Sequence, residues 1–209
     1  MFAERASLPA DLLAHVPAGL DPVVAATMPV VALTADLAVR AAGAGTGTTV
    51  LVLGAAGAVG SYVTQLATTA GATVLASVSR HDFDEVNALG ATAFDRNDDV
   101  GAAVVAAFGH VDTIIDLVGP AARQGAIDAL RPGGRLVTTI PGPLPELPTG
   151  STGNVIAVQP DPRQLIQLGV EVAAGTLTTG TGSRFALEDI RHGLALAPTA
   201  GNTKVVVTP

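Results

Sequence analysis

Thr49-Val50-Leu51-Val52-Leu53-Gly54-Ala55-Ala56-Gly57-Ala58-Val59-Gly60 is the stretch on which the reading of the whole chain turns. Its first five residues form a short apolar run rich in β-branched side chains and closed by Gly54, the pattern of a strand buried on both faces. From Ala58 the spacing changes. Val59, Tyr62, Val63, Leu66 and Ala70 fall on one helical face, and Gly71 stands where a helix C-terminal cap belongs. A turn made of small residues lets the backbone approach a bulky anion. The amides of Ala58 and Val59, at the helix N-terminus, can donate to such an anion in the favourable end of the helix dipole. Matched to G-x-G-x-x-G, positions 55, 57 and 60 read A-x-G-x-x-G, one departure. On these residues alone two readings stand: a pyrophosphate cradle made by Gly54, Gly57, Ala58, Val59 and Gly60, or a glycine-rich turn that packs a helix on a strand.

The downstream sequence repeats the alternation. Strands are expected at Ala72 to Val78, Ala91 to Phe94, Val111 to Gly119 and Gly133 to Ile140. Helices are expected near Asp82 to Leu89, Asp98 to Phe108 and Ala121 to Leu130. This βαβαβ order, given twice, predicts an α/β fold with a doubly wound parallel sheet of Rossmann type, whose ligand sits at the carboxyl ends of the strands. Pro141 to Thr152 is rich in Pro and Gly and reads as a loop over one end of the sheet. A sixth strand, Asn154 to Val158, helices from Pro162 to Ala174 and from Leu187 to Leu196, and a last strand, Lys204 to Thr208, complete the chain.

Composition narrows the function. At 209 residues the chain suits one domain with small appendages, and 48% hydrophobic against 14% charged residues excludes disorder. No charge occurs between Arg40 and Arg80, but seven glycines break that stretch, so it does not supply the about 20 apolar residues of a membrane span. The N-terminus carries Glu4 and Arg5 and no apolar core, which predicts a cytoplasmic protein. Zero cysteines exclude disulfides, thiolate catalysis and Cys-ligated zinc, and His15, His81, His110 and His192 lack ligand spacing. A net charge of −7 with one Tyr and no Trp works against nucleic acid and leaves a small molecule as the expected partner.

About twenty residues beyond the glycine turn, where an NAD-selective site carries an acid for the ribose hydroxyls, the chain reads Ser77-Val78-Ser79-Arg80-His81. Two hydroxyls and a forked guanidinium suit a 2′-phosphate, which makes NADPH (NADP) the expected cofactor and Ser77, Ser79 and Arg80 its selectors. The competing reading is a solvated strand-to-helix corner capped by Asp82. Asp112 and Asp116 read as turn and strand-end residues rather than a catalytic pair, His81 and His110 as surface residues, and Tyr62 as a packing residue.

The runs PADLLAHVPAGLDPVVAATMPVVALTADLAV, TVLVLGAAGAVGSYVTQLA, ASVSRHDF, NALGATAFD, DLVG, LRPGGRLVT and KVVVTP resemble, in order and spacing, the medium-chain dehydrogenase/reductase superfamily, in particular its zinc-free quinone oxidoreductase branch. The resemblance implies six strands in the order 3-2-1-4-5-6, with Gly57, Ala58 and Val59 at the pyrophosphate and Ser77 and Arg80 at the adenosine phosphate. It puts Leu117, Val118 and Gly119 together with Thr139, Ile140 and Pro141 beside the nicotinamide. Val30 stands where zinc alcohol dehydrogenases carry a cysteine. Such relatives begin with a GroES-like catalytic domain, of which residues 1–22 match only the close; residues 23–209 match the cofactor domain, with 200–209 a terminal strand that returns to the catalytic domain. The function implied is hydride transfer from NADPH to a quinone or enone. The alternatives are a non-catalytic NADPH-binding or assembly protein, or an enoyl-reductase-type fragment of a larger synthase. Strand 154–158 is the candidate edge for a homodimer.

Overall fold

β1 (Thr49–Leu53) lies at the centre of the sheet, hydrogen-bonded on one side to β2 (Thr73–Val78) and on the other to β4 (Val111–Asp116), and the remaining strands extend outward from this trio. In the computed structural model, which describes residues 5–180, 182–196 and 204–208, the six parallel strands run β3-β2-β1-β4-β5-β6, with helices on both faces. The outer members are β3 (Thr92–Asp95), β5 (Leu130–Thr138) and β6 (Thr152–Val155). This is the order the resemblance implied. Leu51, Leu53, Leu75, Ile114 and Leu136 are each at most 1% exposed. Burial on both faces explains why these strands read as unbroken apolar runs rather than as alternation.

The crossover helices are α3 (Ala58–Thr69), α4 (Phe83–Ala88), α5 (Val100–Phe108) and α6 (Pro120–Ala126). α3 ends in a Schellman cap: Gly71, at φ +87°, donates to Thr68 O, and Ala72 donates to Ala67 O. α5 begins where the Asp99 carboxylate accepts from Ala102 N at 3.0 Å. The helix α2 (Pro29–Ala42), which the composition-level reading did not assign, ends against the sheet, where Thr113 Oγ1 and Arg135 Nη1 both donate to Ala42 O.

The sheet and these crossover helices form one compact unit, Thr34–Ala157. A second unit joins the described residues up to Leu33 with those from Val158 onward. It contains α1 (Pro22–Ala26), α7 (Pro162–Ala173), β7 (Ser183–Ala186), α8 (Ile190–Leu196) and β8 (Val205–Thr208). β8 is the expected last strand, and it pairs in parallel with β7, a strand the sequence reading missed. The expected helix from Leu187 divides into a 3-10 turn, Leu187–Asp189, and α8. β6 starts earlier and ends sooner than the expected Asn154 to Val158, because its limits follow pairing with Arg135 to Thr138 rather than apolar content. Residues 1–4, 200–203 and 209, which fall in the expected terminal segments, lie outside the described residues.

Candidate functional site

The carboxyl end of β1 turns sharply. Gly54 has φ +82°, a backbone region that L side chains rarely adopt, and its amide donates to Ser77 O at 3.1 Å. Gly57 N donates to Gly54 O at 3.0 Å and Ser61 N to Gly57 O at 2.9 Å, so Gly57 is the N-cap of α3. The amides of Ala58, Val59 and Gly60 precede that first helical bond and have no intrahelical acceptor. The glycines are not equivalent. A Cβ on Gly60 would lie 2.7 Å from Ala55 Cα, closer than real Cβ atoms come, whereas a Cβ on exposed Gly57 would meet only Gly54 O, at 3.2 Å. Gly60 is therefore required for packing α3 onto the turn, while Gly57 faces outward.

Two further turns meet this one. Leu117 N donates to Leu53 O at 3.2 Å, and a Cβ on Gly54 would come 2.8 Å from Val118 Cγ2. Gly119, at φ +131°, leaves 3.6 Å between a built Cβ and Ile140 Cγ2. The structure thus brings Gly54, Leu117, Val118, Gly119 and Ile140 together at the carboxyl ends of β1, β4 and β5, and Thr139 and exposed Pro141 flank them. Asp116, 0% exposed, holds the arrangement. Its Oδ1 accepts from Val118 N at 2.9 Å and Gly119 N at 2.8 Å, and its Oδ2 accepts from Thr138 Oγ1 at 3.0 Å. Thr138 Oγ1 in turn accepts from Ile140 N at 3.0 Å. Sequence reading left Asp116 as a strand-end residue; its signal was an acid at the close of an apolar strand, just before Leu-Val-Gly.

The corner after β2 is a third element of the site. Ser77 is buried and meets Gly54 through its carbonyl, while Ser79 precedes the 3-10 turn Arg80–Asp82. Arg80 projects with 76% of its side chain exposed and forms a short ion pair with Asp95, at the end of β3, and a looser one with Asp98 at 3.9 Å. The hydrogen bond from Arg80 to Asp95, reinforced by both carboxylates, raises the Arg80 pKa above its ordinary value. The Asn97 amide and then Arg80 hold the Asp95 carboxyl below the usual range. Asp95 was not among the residues read from sequence. Asp82 occupies the N-cap position of α4 without accepting an amide there. Asp112 and Asp116 stand four residues apart near the two ends of β4, too far for a catalytic pair, and His81 and His110 are exposed. Tyr62 is 1% exposed.

A strand, a glycine turn with open helix-terminal amides and two neighbouring strand-end turns stand together at the carboxyl edge of a doubly wound sheet, the edge at which such sheets take ligands. Residues 58–145 match the zinc-binding dehydrogenase family, a span that is less than half of the chain and contains α3 through β5. No curated protein sequence matches the chain. Among solved structures, the chain is similar to a quinone oxidoreductase from Coxiella burnetii, with a TM-score of 0.78 and 26% identity over 93% of this chain and 63% of that one. A thermostable alcohol dehydrogenase from Pyrobaculum aerophilum gives 0.71 and 25%, over 88% of this chain and 57% of that one. An alcohol dehydrogenase superfamily protein from Novosphingobium aromaticivorans gives 0.85 at 23% identity, over 96% and 68%, which speaks to the fold alone. The chain thus spans roughly three fifths to two thirds of these structures.

The donor set does not fit the zinc in that family's description. The chain has no cysteine, and among the described residues no three His, Asp or Glu side chains group closely enough to hold a metal ion. No described helix is long and apolar enough to cross a membrane.

Proposed function

We propose that the chain is the NADPH-binding domain of a zinc-independent oxidoreductase of quinone or enone reductase type. One observation carries the reading: the β1, β4 and β5 turns converge beside a helix N-terminus whose amides are open, with exposed Gly57 leaving the approach clear. The bound nicotinamide would supply the hydride chemistry. The chain's own residues would do the holding. Gly57, Ala58 and Val59 would hold the pyrophosphate by backbone amides, and Ser79 and Arg80, backed by Ser77, would hold the adenosine phosphate. Leu117, Val118, Gly119, Thr139, Ile140 and Pro141 would border the nicotinamide, where Val118, 57% exposed, offers an apolar surface to a flat ring. Residues 1–22 are, in this proposal, the remnant of a preceding catalytic domain and residues 23–209 the cofactor domain, with 200–209 a terminal strand that in relatives belongs to the catalytic domain. The open edge of β6, where Val155 is 48% exposed, would join two copies.

The Arg80–Asp95 ion pair favours a second reading of the cofactor. A guanidinium already neutralised by Asp95 and faced by Asp98 has less charge to offer a 2′-phosphate, which would let NADH compete. Titration calorimetry separates the two. With NADPH as cofactor, Arg80→Ala weakens its binding by roughly tenfold or more through loss of a charge-assisted contact and leaves NADH unchanged. Equal effects on both would remove Arg80 from phosphate recognition.

A further inference from the structure

Arg123 is an arginine in the interior. Its side chain is 1% exposed, in the last turn of the short helix α6, and its Nε lies 3.2 Å from Asp116 Oδ2. Nε, Nη1 and Nη2 all lack a hydrogen-bond partner among the described residues, so Asp116 meets Arg123 as an opposite charge rather than as a hydrogen-bond acceptor. Packing does not account for this residue type, because leucine or methionine would fill similar space without desolvating a charge. Its position relative to Asp116 does. Arg123 N donates to Gly119 O at 3.1 Å, so the guanidinium stands one helical turn beyond the amides that Asp116 holds.

Asp116 uses both carboxylate oxygens. Three donors converge on them, Val118 N, Gly119 N and Thr138 Oγ1, and the last of these also receives Ile140 N. One buried carboxylate therefore fixes the turn after β4 directly and the turn after β5 through a hydroxyl. A carboxylate at 0% exposure with no opposite charge beside it is costly, and the relief open to it is to swing towards water and release those donors. Arg123 is the opposite charge.

We infer that Arg123 is a positioning residue for the nicotinamide end of the site, acting through Asp116 to hold turns 117–119 and 139–140 in register. This rests on the dinucleotide reading above, and it separates the two halves of the ligand. Arg123 should matter to the nicotinamide half and not to the adenosine half, which binds at the turn after β1 and the corner after β2.

The test is calorimetry on the whole chain with NADPH and with 2′,5′-ADP, which lacks the nicotinamide; NADH and ADP take their place if the wild type prefers NADH. In Arg123→Met the dinucleotide Kd should rise by about tenfold or more, while the Kd of the adenosine fragment stays within about twofold. The charge-free double variant Asp116→Asn/Arg123→Met should return to within about threefold of wild type, because the asparagine Oδ1 can accept the Val118 and Gly119 amides and its Nδ2 can donate to Thr138. That variant carries the comparison if Arg123→Met alone does not fold. Equal weakening of both ligands, no weakening of either, or a double variant as impaired for the dinucleotide as Arg123→Met would overturn the inference. A wild type that binds the fragment and dinucleotide while the variants behave this way leaves the cofactor reading standing. A wild type that binds neither dinucleotide overturns that reading and this inference with it.

Discussion

Gly57 and Gly60 are three residues apart and serve different purposes. Gly60 lies so close to Ala55 that a methyl group forces helix and turn apart, whereas Gly57 is exposed with ordinary backbone angles, φ −72° and ψ 171°. Gly60→Ala should therefore cost stability, ~1–3 kcal/mol as an overpacking penalty, read as a lower denaturation midpoint. Gly57→Val should leave the circular dichroism spectrum and midpoint close to wild type. A Gly60→Ala chain as stable as wild type would refute the packing role. In the sequence the two glycines look alike, because the motif marks where small residues are needed without saying whether a ligand or the chain's own backbone needs the room. Arg80 shows the same boundary. Its place after β2 is legible from spacing, but its partner Asp95 lies fifteen residues on, at the end of a neighbouring strand, and only the sheet order brings them together.

β1, β2 and β4 were legible because they are buried on both faces, where burial dictates the composition. β7 escaped because its four residues, Ser183 to Ala186, alternate between half-buried and exposed in a two-stranded sheet. α2 escaped because Pro29 to Ala42 is nearly all apolar or alanine, which blurs helical periodicity. Asp112 gives a test at this level. Its carboxylate accepts from Thr49 N at 2.7 Å and from Arg131 Nε at 2.7 Å, strapping the start of β4 to β1 and β5. Burial pushes its pKa up, but the Thr49 amide and the Arg131 guanidinium outweigh burial and hold it below the usual carboxylate range. Asp112→Ala should cost ~1–2 kcal/mol in urea denaturation. Arg131→Ala should cost under ~1 kcal/mol, because Arg131 is 49% exposed and water screens its charge. A lowered folded pKa means stability that is fully present above the unfolded value of about 3.9 and lost as pH falls through the folded value. Asp112→Ala should thus flatten the stability curve of the protein below about pH 4. If Arg131→Ala costs as much as Asp112→Ala, the strap from Asp112 to the β1 amide is not the stabilising contact.

Across the whole molecule, the alternation of strands and helices and the glycine turn were legible from local pattern, while the strand order followed from the family resemblance. The hub at Asp116 was not legible, since it depends on donors from two turns and a charge from a helix. The turns 117–119 and 139–141 are built from backbone amides and mainly apolar side chains. NADPH oxidation with a panel of small quinones and enones should accordingly run well below the roughly 10 per second common among enzymes; a rate near that value would show that the chain completes its own acceptor site. The claim beneath all of these is that the turn from Gly54 to Gly60 binds a nicotinamide dinucleotide. Titration of the wild-type chain and of Gly57→Val with NADPH and NADH, alongside circular dichroism, tests it most directly. Saturable binding at one site in the wild type, lost in a Gly57→Val chain that remains folded, is the predicted result; a wild type that binds neither dinucleotide, or a folded Gly57→Val that binds as well as wild type, would contradict it.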